Sequence, residues 1–239
     1  METLQQGARG PLVEFAQTLL NGEYYATDLG GEELNQDGIF GPRTAAQLSR
    51  FISNVMAVSM PTLVNDAVWR ALGVDQWREH ATTLVAQHGN MLCWNAAAAM
   101  TRGVVASMVT GGATLGATGG LQVNAANVNQ FLRAVGLTPI TVPANGAALA
   151  PMLTGGRMWL AGAVTGGGLA GATHHAVCLS GIITTAPRPG REQRTLVRIH
   201  DPWPPSPTGA GGGTIRWQHF YMPRMYLGAY QLAPMFAAR

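Results

Sequence analysis

The chain has 239 residues, 47% of them hydrophobic, which is enough for a substantial core and excludes global disorder. Only 11% of residues are charged, and all fifteen basic ones are arginine. The net charge of +3 is unevenly spread: residues 1–79 hold ten acids and five arginines (−5), and residues 80–239 hold two acids and ten arginines (+8).

That break, together with the length, predicts two domains, 1–76 and 80–239. The arginines of the second half are scattered, with no basic run or interleaved aromatics, so nucleic acid is not an expected partner. No apolar run is long enough for membrane insertion, and the opening METLQQGARG lacks a basic-then-apolar export signal. Cys93 and Cys178 are the two cysteines, too few for a disulfide framework.

The first half reads as a three-helix bundle. Residues 11–20 place Leu12, Val13, Phe15, Ala16, Leu19 and Leu20 on one helical face, with Pro11 at the first helical position. Residues 43–56 repeat the pattern with Leu48, Phe51, Ile52 and Val55, and a third helix is expected over 61–72, opened by Pro61. Between the first two, Asp37-Gly38 and Gly41-Pro42 are turn signals, and Ile39-Phe40 can plug a small core.

The run Asp37-Gly38-Ile39-Phe40-Gly41-Pro42-Arg43-Thr44, with Leu48 and Phe51 after it, resembles the three-helix peptidoglycan-binding domain appended to bacterial wall hydrolases. The likeness covers residues 7–73. It departs where that family has Gln after the second-helix Phe, which is Ile52 here, and at Met60-Pro61-Thr62, which replaces a second DG-type turn.

The second half offers a thiol, histidines and few acids. After Gly89-Asn90 an alanine-rich helix begins, and Cys93 falls in its first turn, where unpaired N–H groups favour a thiolate. Residues 173–182 read as a strand that puts His175 on the face of Val177 and Leu179, and His174 on that of Ala176 and Cys178. Only one of the two histidines can then face the thiol.

Residues 195–200 alternate as a further strand, ended by Pro202 and Pro204. The acids of this half are Glu192, in an exposed turn, and Asp201, which is by elimination the orienter of a histidine base. Two acids so placed argue against a two-carboxylate glycosidase site built from this half alone. A zinc site drawn from His174, His175, His200 and Asp201 lacks an HExxH pattern and a shared-face spacing, so no metal or other cofactor is expected. Gly-rich stretches at 111–120 and 162–171 would flank the cleft.

Together these residues resemble the papain-like cysteine peptidases, in the bacterial branch of virulence and leader-peptide-processing enzymes. The pattern Gln-x5-Cys-Trp-x-Ala-Ala is met by Gln87, Cys93, Trp94, Ala96 and Ala97; the strand histidine by His175-Ala176-Val177 and Gly181; and Asp-Pro-Trp by Asp201-Pro202-Trp203. The likeness covers roughly residues 80–235.

It implies an α+β fold in which the helix bearing Cys93 packs on an antiparallel sheet, with Cys93 as nucleophile, His175 as acid and base, Asp201 as orienter and Gln87 in the oxyanion hole. The activity implied is hydrolysis of peptide bonds. The wall-binding likeness raises the alternative of an amidase or endopeptidase acting on peptidoglycan stem peptides, and a non-catalytic wall-binding adaptor is the second alternative. A wall-binding module without an export signal suggests an injected or otherwise secreted antibacterial effector acting in the periplasm or cytoplasm of a target cell. Such a toxin implies an immunity protein as partner.

Overall fold

A computed structural model describes residues 1–22, 33–89, 92–106, 114–117, 119–122, 124–141, 143–165, 174–187, 193–204, 211–220, 225–227, 230–232 and 235–238. Glu192, Asn90, residues 111–113 and 118 of the first Gly-rich stretch and residues 166–171 of the second lie outside the described residues. The chain forms two compact units, Met1–Trp77 and Arg78–Arg239.

In the first unit, α1 (Pro11–Gly22) and α2 (Pro42–Phe51) follow the apolar spacing, and α2 runs on into a π-helical turn, Ile52–Met56. The third helix is shorter than expected. Asn65 accepts a hydrogen bond from the Val68 N–H, so α3 is Asp66–Ala71. Pro61 precedes that cap, and Val64 bridges to Leu4 in extended conformation. The asparagine cap, not the proline, sets the start.

Phe15, Phe40, Phe51 and Trp69 fill the core, whereas Ile39 stays 39% exposed. The loop between α1 and α2 is organised by Gln17, which is 1% exposed. Its amide Nε2 donates to Asp37 Oδ1, Ile39 O and Thr44 Oγ1, and its Oε1 accepts from the Gly38 N–H at 3.0 Å. Gly38 sits at φ +68°, and a Cβ there would meet Gly10 O at 3.0 Å, so a side chain there would be strained on both counts.

The chain passes into the second unit through β1 (Val74–Glu79). This unit holds α4 (Cys93–Arg102), α5 (Ala125–Ala134), β2 (Thr138–Ile140), α6 (Gly146–Thr154), β3 (Met158–Thr165), β4 (His174–Thr185), β5 (Thr195–Asp201), β6 (Thr214–His219), β7 (Met225–Leu227), β8 (Tyr230–Leu232) and β9 (Met235–Ala238). The sheet runs β2-β9-β3-β4-β5-β6, each neighbouring pair antiparallel.

Helices cover both faces. Met158, Leu160, Val177, Leu179, Val197 and Ile199 pack with Leu149, Ala150 and Leu153 of α6. On the other face, Trp159, Ala161 and Ala176 pack with Ala97–Ala99 of α4 and with Val128, Phe131 and Leu132 of α5. The small residues Ala96–Ala99, all buried, let α4 lie close on the sheet. Trp94 meets Phe131 edge to face at 4.9 Å, and its carbonyl accepts from Trp159 Nε1 at 3.2 Å, which fixes the Cys93 end of the helix. The fold is thus mixed, with the cysteine-bearing helix on an antiparallel sheet. Among the described residues no helix is long and apolar enough to cross a membrane.

Candidate active site

Cys93 is the first residue of α4 and is half-buried. The preceding Leu92 offers no side-chain cap, so the N–H groups of the first turn, Cys93's among them, stand ahead of the intrahelical ladder. The Cys93 thiol is hydrogen-bonded to the imidazole of His175.

His175 is the second residue of β4 and lies opposite Gly162 of β3. In the β4–β5 ladder Leu179 faces Ile199 and Cys178 faces His200, so one step further Asp201 comes level with Val177. It is then diagonal to His175 on the same face of the sheet, within reach of a long side chain. The two side chains meet there, His175 Nε2 to Asp201 Oδ1 at 2.7 Å. With Nε2 committed to the carboxylate, Nδ1 is left for the thiol.

Burial by itself would push the His175 imidazole toward neutrality. The Asp201 hydrogen bond and then the Cys93 hydrogen bond and charge outweigh it, and its pKa rises from 6.5 to about 9. His175 is therefore an imidazolium at neutral pH. Asp201 moves the other way. Burial raises its carboxyl, but the hydrogen bond and charge of His175, the Trp203 N–H and Arg216 hold it below 3.8. Asp201 Oδ1 also accepts from the Trp203 N–H at 2.9 Å, and Oδ2 accepts from Arg216 Nη2 at 3.0 Å.

Gln87 is buried, and its backbone N–H donates to Pro202 O at 3.1 Å, tying the approach loop to the residue after Asp201. Its Nε2 donates to Gly89 O at 2.5 Å, while Oε1 has no hydrogen-bond partner among the described residues. One of the two amide hydrogens is thus spent on the loop. Asn90 and Met91, between Gln87 and Cys93, lie outside the described residues.

The other histidines are placed elsewhere. His174, opposite Ala163, projects from the reverse face of β4, and burial lowers its pKa. His200, across from Cys178, is fully buried, and burial followed by the charges of Arg198 and Arg157 drives its pKa to about 4. His200 shares a face with Cys178 and not with His175, so the four residues of a zinc reading do not converge. Among the described residues no three His, Cys, Asp or Glu side chains are grouped to hold a metal ion.

The residue that sequence reasoning missed is Arg216. It is one of ten scattered arginines, and only the register of β6 against β5 brings it to Asp201. The alternation Thr214-Ile215-Arg216-Trp217-Gln218 signals a strand but not its neighbour. Comparisons of the chain with family models, curated proteins and solved structures return no match.

Proposed function

We propose that the second unit is a thiol hydrolase of amide bonds, a papain-like cysteine peptidase. The reading is carried by one observation: a half-buried thiol at a helix start is hydrogen-bonded to an imidazolium whose far nitrogen is held by a buried carboxylate at 2.7 Å. A non-catalytic adaptor has no need of that alignment, since burying Asp201 without chemistry to serve is costly.

The Cys93 thiolate attacks the scissile carbonyl carbon, forming a C–S bond and placing negative charge on the oxygen. The Cys93 backbone N–H and the second amide hydrogen of Gln87 receive that charge, each donor being worth roughly 2.7–4 kcal/mol in comparable sites. His175 gives its proton to the leaving nitrogen as the C–N bond breaks. Water then attacks the thioester, His175 takes its proton, and the thiolate is regenerated.

If Gln87 serves the oxyanion, Gln87→Ala should lower kcat by roughly 10²–10³ with little change in KM. Gln87→Glu should be at least as harmful, because it brings a carboxylate toward a developing anion. Alkylation of Cys93 by iodoacetamide should persist in Gln87→Ala, since that reaction makes no oxyanion. A parallel fall in both rates would mean that Gln87 shapes the loop instead.

The natural substrate is a peptide bond of a protein or of a peptidoglycan stem peptide. The ordered Asp37–Thr44 loop of the first unit, with its likeness to wall-binding domains, favours the second source, in keeping with an antibacterial effector and its immunity partner. The deciding experiment incubates the full chain and its Cys93→Ala variant with purified muropeptides and, separately, with a bacterial lysate. Mass spectrometry of Cys93-dependent new termini is expected to show cleavage in one of the two. Absence of such cleavage in both would overturn the peptidase reading.

A further inference from the structure

We propose that Arg216 is a positioning residue of this site, which anchors Asp201 through Oδ2 so that Oδ1 stays aimed at His175. The proposal rests on the triad reading above and adds a fourth side chain to it.

A carboxylate turns readily about its last bond, and its two oxygens are interchangeable unless something distinguishes them. Here each oxygen has its own partners. Oδ1 takes His175 Nε2 at 2.7 Å and the Trp203 N–H at 2.9 Å, and Oδ2 takes Arg216 Nη2 at 3.0 Å. Asp201 is 6% exposed, so an oxygen that lost its donor would be left bare or would turn to compete for those of its twin.

Arg216 is itself clamped. Its Nη1 donates to Thr214 Oγ1 at 3.0 Å and its Nε to Gln218 Oε1 at 3.4 Å, from positions two before and two after it on the same face of β6. The register puts Thr214 opposite Asp201, Arg216 opposite Ile199 and Gln218 opposite Val197. The guanidinium therefore reaches Asp201 along a fixed diagonal. An ordinary surface ion pair has no such bracing and contributes little.

Among the described residues, the titratable and charged groups facing Asp201 are His175 from β4, Cys93 of α4 acting through His175, and Arg216 from β6. Arg198 of β5 is paired instead with Glu79 at 3.3 Å. Losing Arg216 frees Asp201 and removes a positive charge near the thiolate–imidazolium pair. Both effects loosen the hold on His175 and, through it, on the thiol.

The test measures the rate of iodoacetamide alkylation at Cys93 in the full chain between about pH 5 and about pH 9, by peptide mapping that resolves Cys93 from Cys178. In Arg216→Gln alkylation near neutral pH is expected to be roughly tenfold slower than in wild type, as fits the loss of one hydrogen bond to a charged group. Arg216→Lys keeps the charge and one donor and should retain the wild-type rate. Arg216→Met should behave as the glutamine variant does, and it serves where that variant does not fold.

Superimposed profiles for wild type and the neutral variants would overturn the proposal, as would an equal loss at every pH shared by the lysine variant. Neither outcome bears on whether the site hydrolyses amides, which the Cys93→Ala comparison decides separately.

Discussion

Cys93→Ala is expected to abolish hydrolysis, a loss of roughly 10⁴–10⁶ in kcat for a nucleophile removed from an intact site, with the thermal unfolding midpoint little changed. The small effect on folding follows from position. Cys93 opens a helix whose packing is carried by Ala96–Ala99 and Trp94, and its own side chain is only half-buried. Alanine suits a helix start nearly as well.

The second cysteine is the internal control. Cys178 lies mid-strand in β4 with no exposure, and burial pushes its thiol up to about 12 despite the Thr101 hydrogen bond and the Arg157 charge. It is a protonated thiol with no path to reagent. Iodoacetamide should therefore modify Cys93 first and reach Cys178 only on unfolding. Labelling of Cys178 ahead of Cys93, or turnover by Cys93→Ala, would remove Cys93 from the role assigned to it.

Much of this site is written in local patterns. The change from Gly89-Asn90 to an alanine run marks a helix start, and α4 begins at Cys93. Alternation around residue 175 gives the strand and its two faces, with Val177 and Leu179 on the α6 face and Ala176 on the α4 face; which histidine meets Cys93 is not written in that alternation, because His175 makes the contact although it alternates with the α6-facing residues. Asp201 is reachable by counting, because this half has only one other acid.

What is not local is not legible. β9 pairs with β2 and β3, and Arg216 finds Asp201 through the β5–β6 register; both depend on contacts between distant segments that no short-range period encodes. The third helix fails for a different reason. Proline is favoured at a helix start but equally at home in an extended segment, and the hydrogen bond that the Asn65 side chain accepts from the Val68 N–H decides between them. Gln17 was unmarked for the same reason as Arg216, since its partners lie twenty or more residues away.

The two adjacent histidines allow the strand phase to be tested by function. His175→Ala removes the proton donor of the first step, the base of the second and the partner that holds the thiolate, so kcat should fall by roughly 10⁴ or more. His174→Ala should stay within a few-fold of wild type, because the ring that meets Asp201 and Cys93 is that of His175. The pH dependence separates the two further.

Because the His175 pKa is raised from 6.5 to about 9, wild-type turnover should hold through neutral pH and fall as pH rises through about 9, when the imidazolium is lost. Stability has the same sign. A pKa raised on folding stabilises the fold fully below the unfolded value of 6.5, and that contribution disappears as pH climbs through about 9. Asp201, whose pKa is lowered, stabilises above its ordinary 3.8 and ceases to do so as pH falls through its folded value. The unfolding midpoint of wild type should thus exceed that of His175→Ala most at mildly acidic pH, and the gap should close in alkali. His174→Ala should keep both the alkaline limb and the wild-type gap. If His174→Ala is the dead variant and His175→Ala the active one, the imidazole that meets Cys93 is on the other face of the strand.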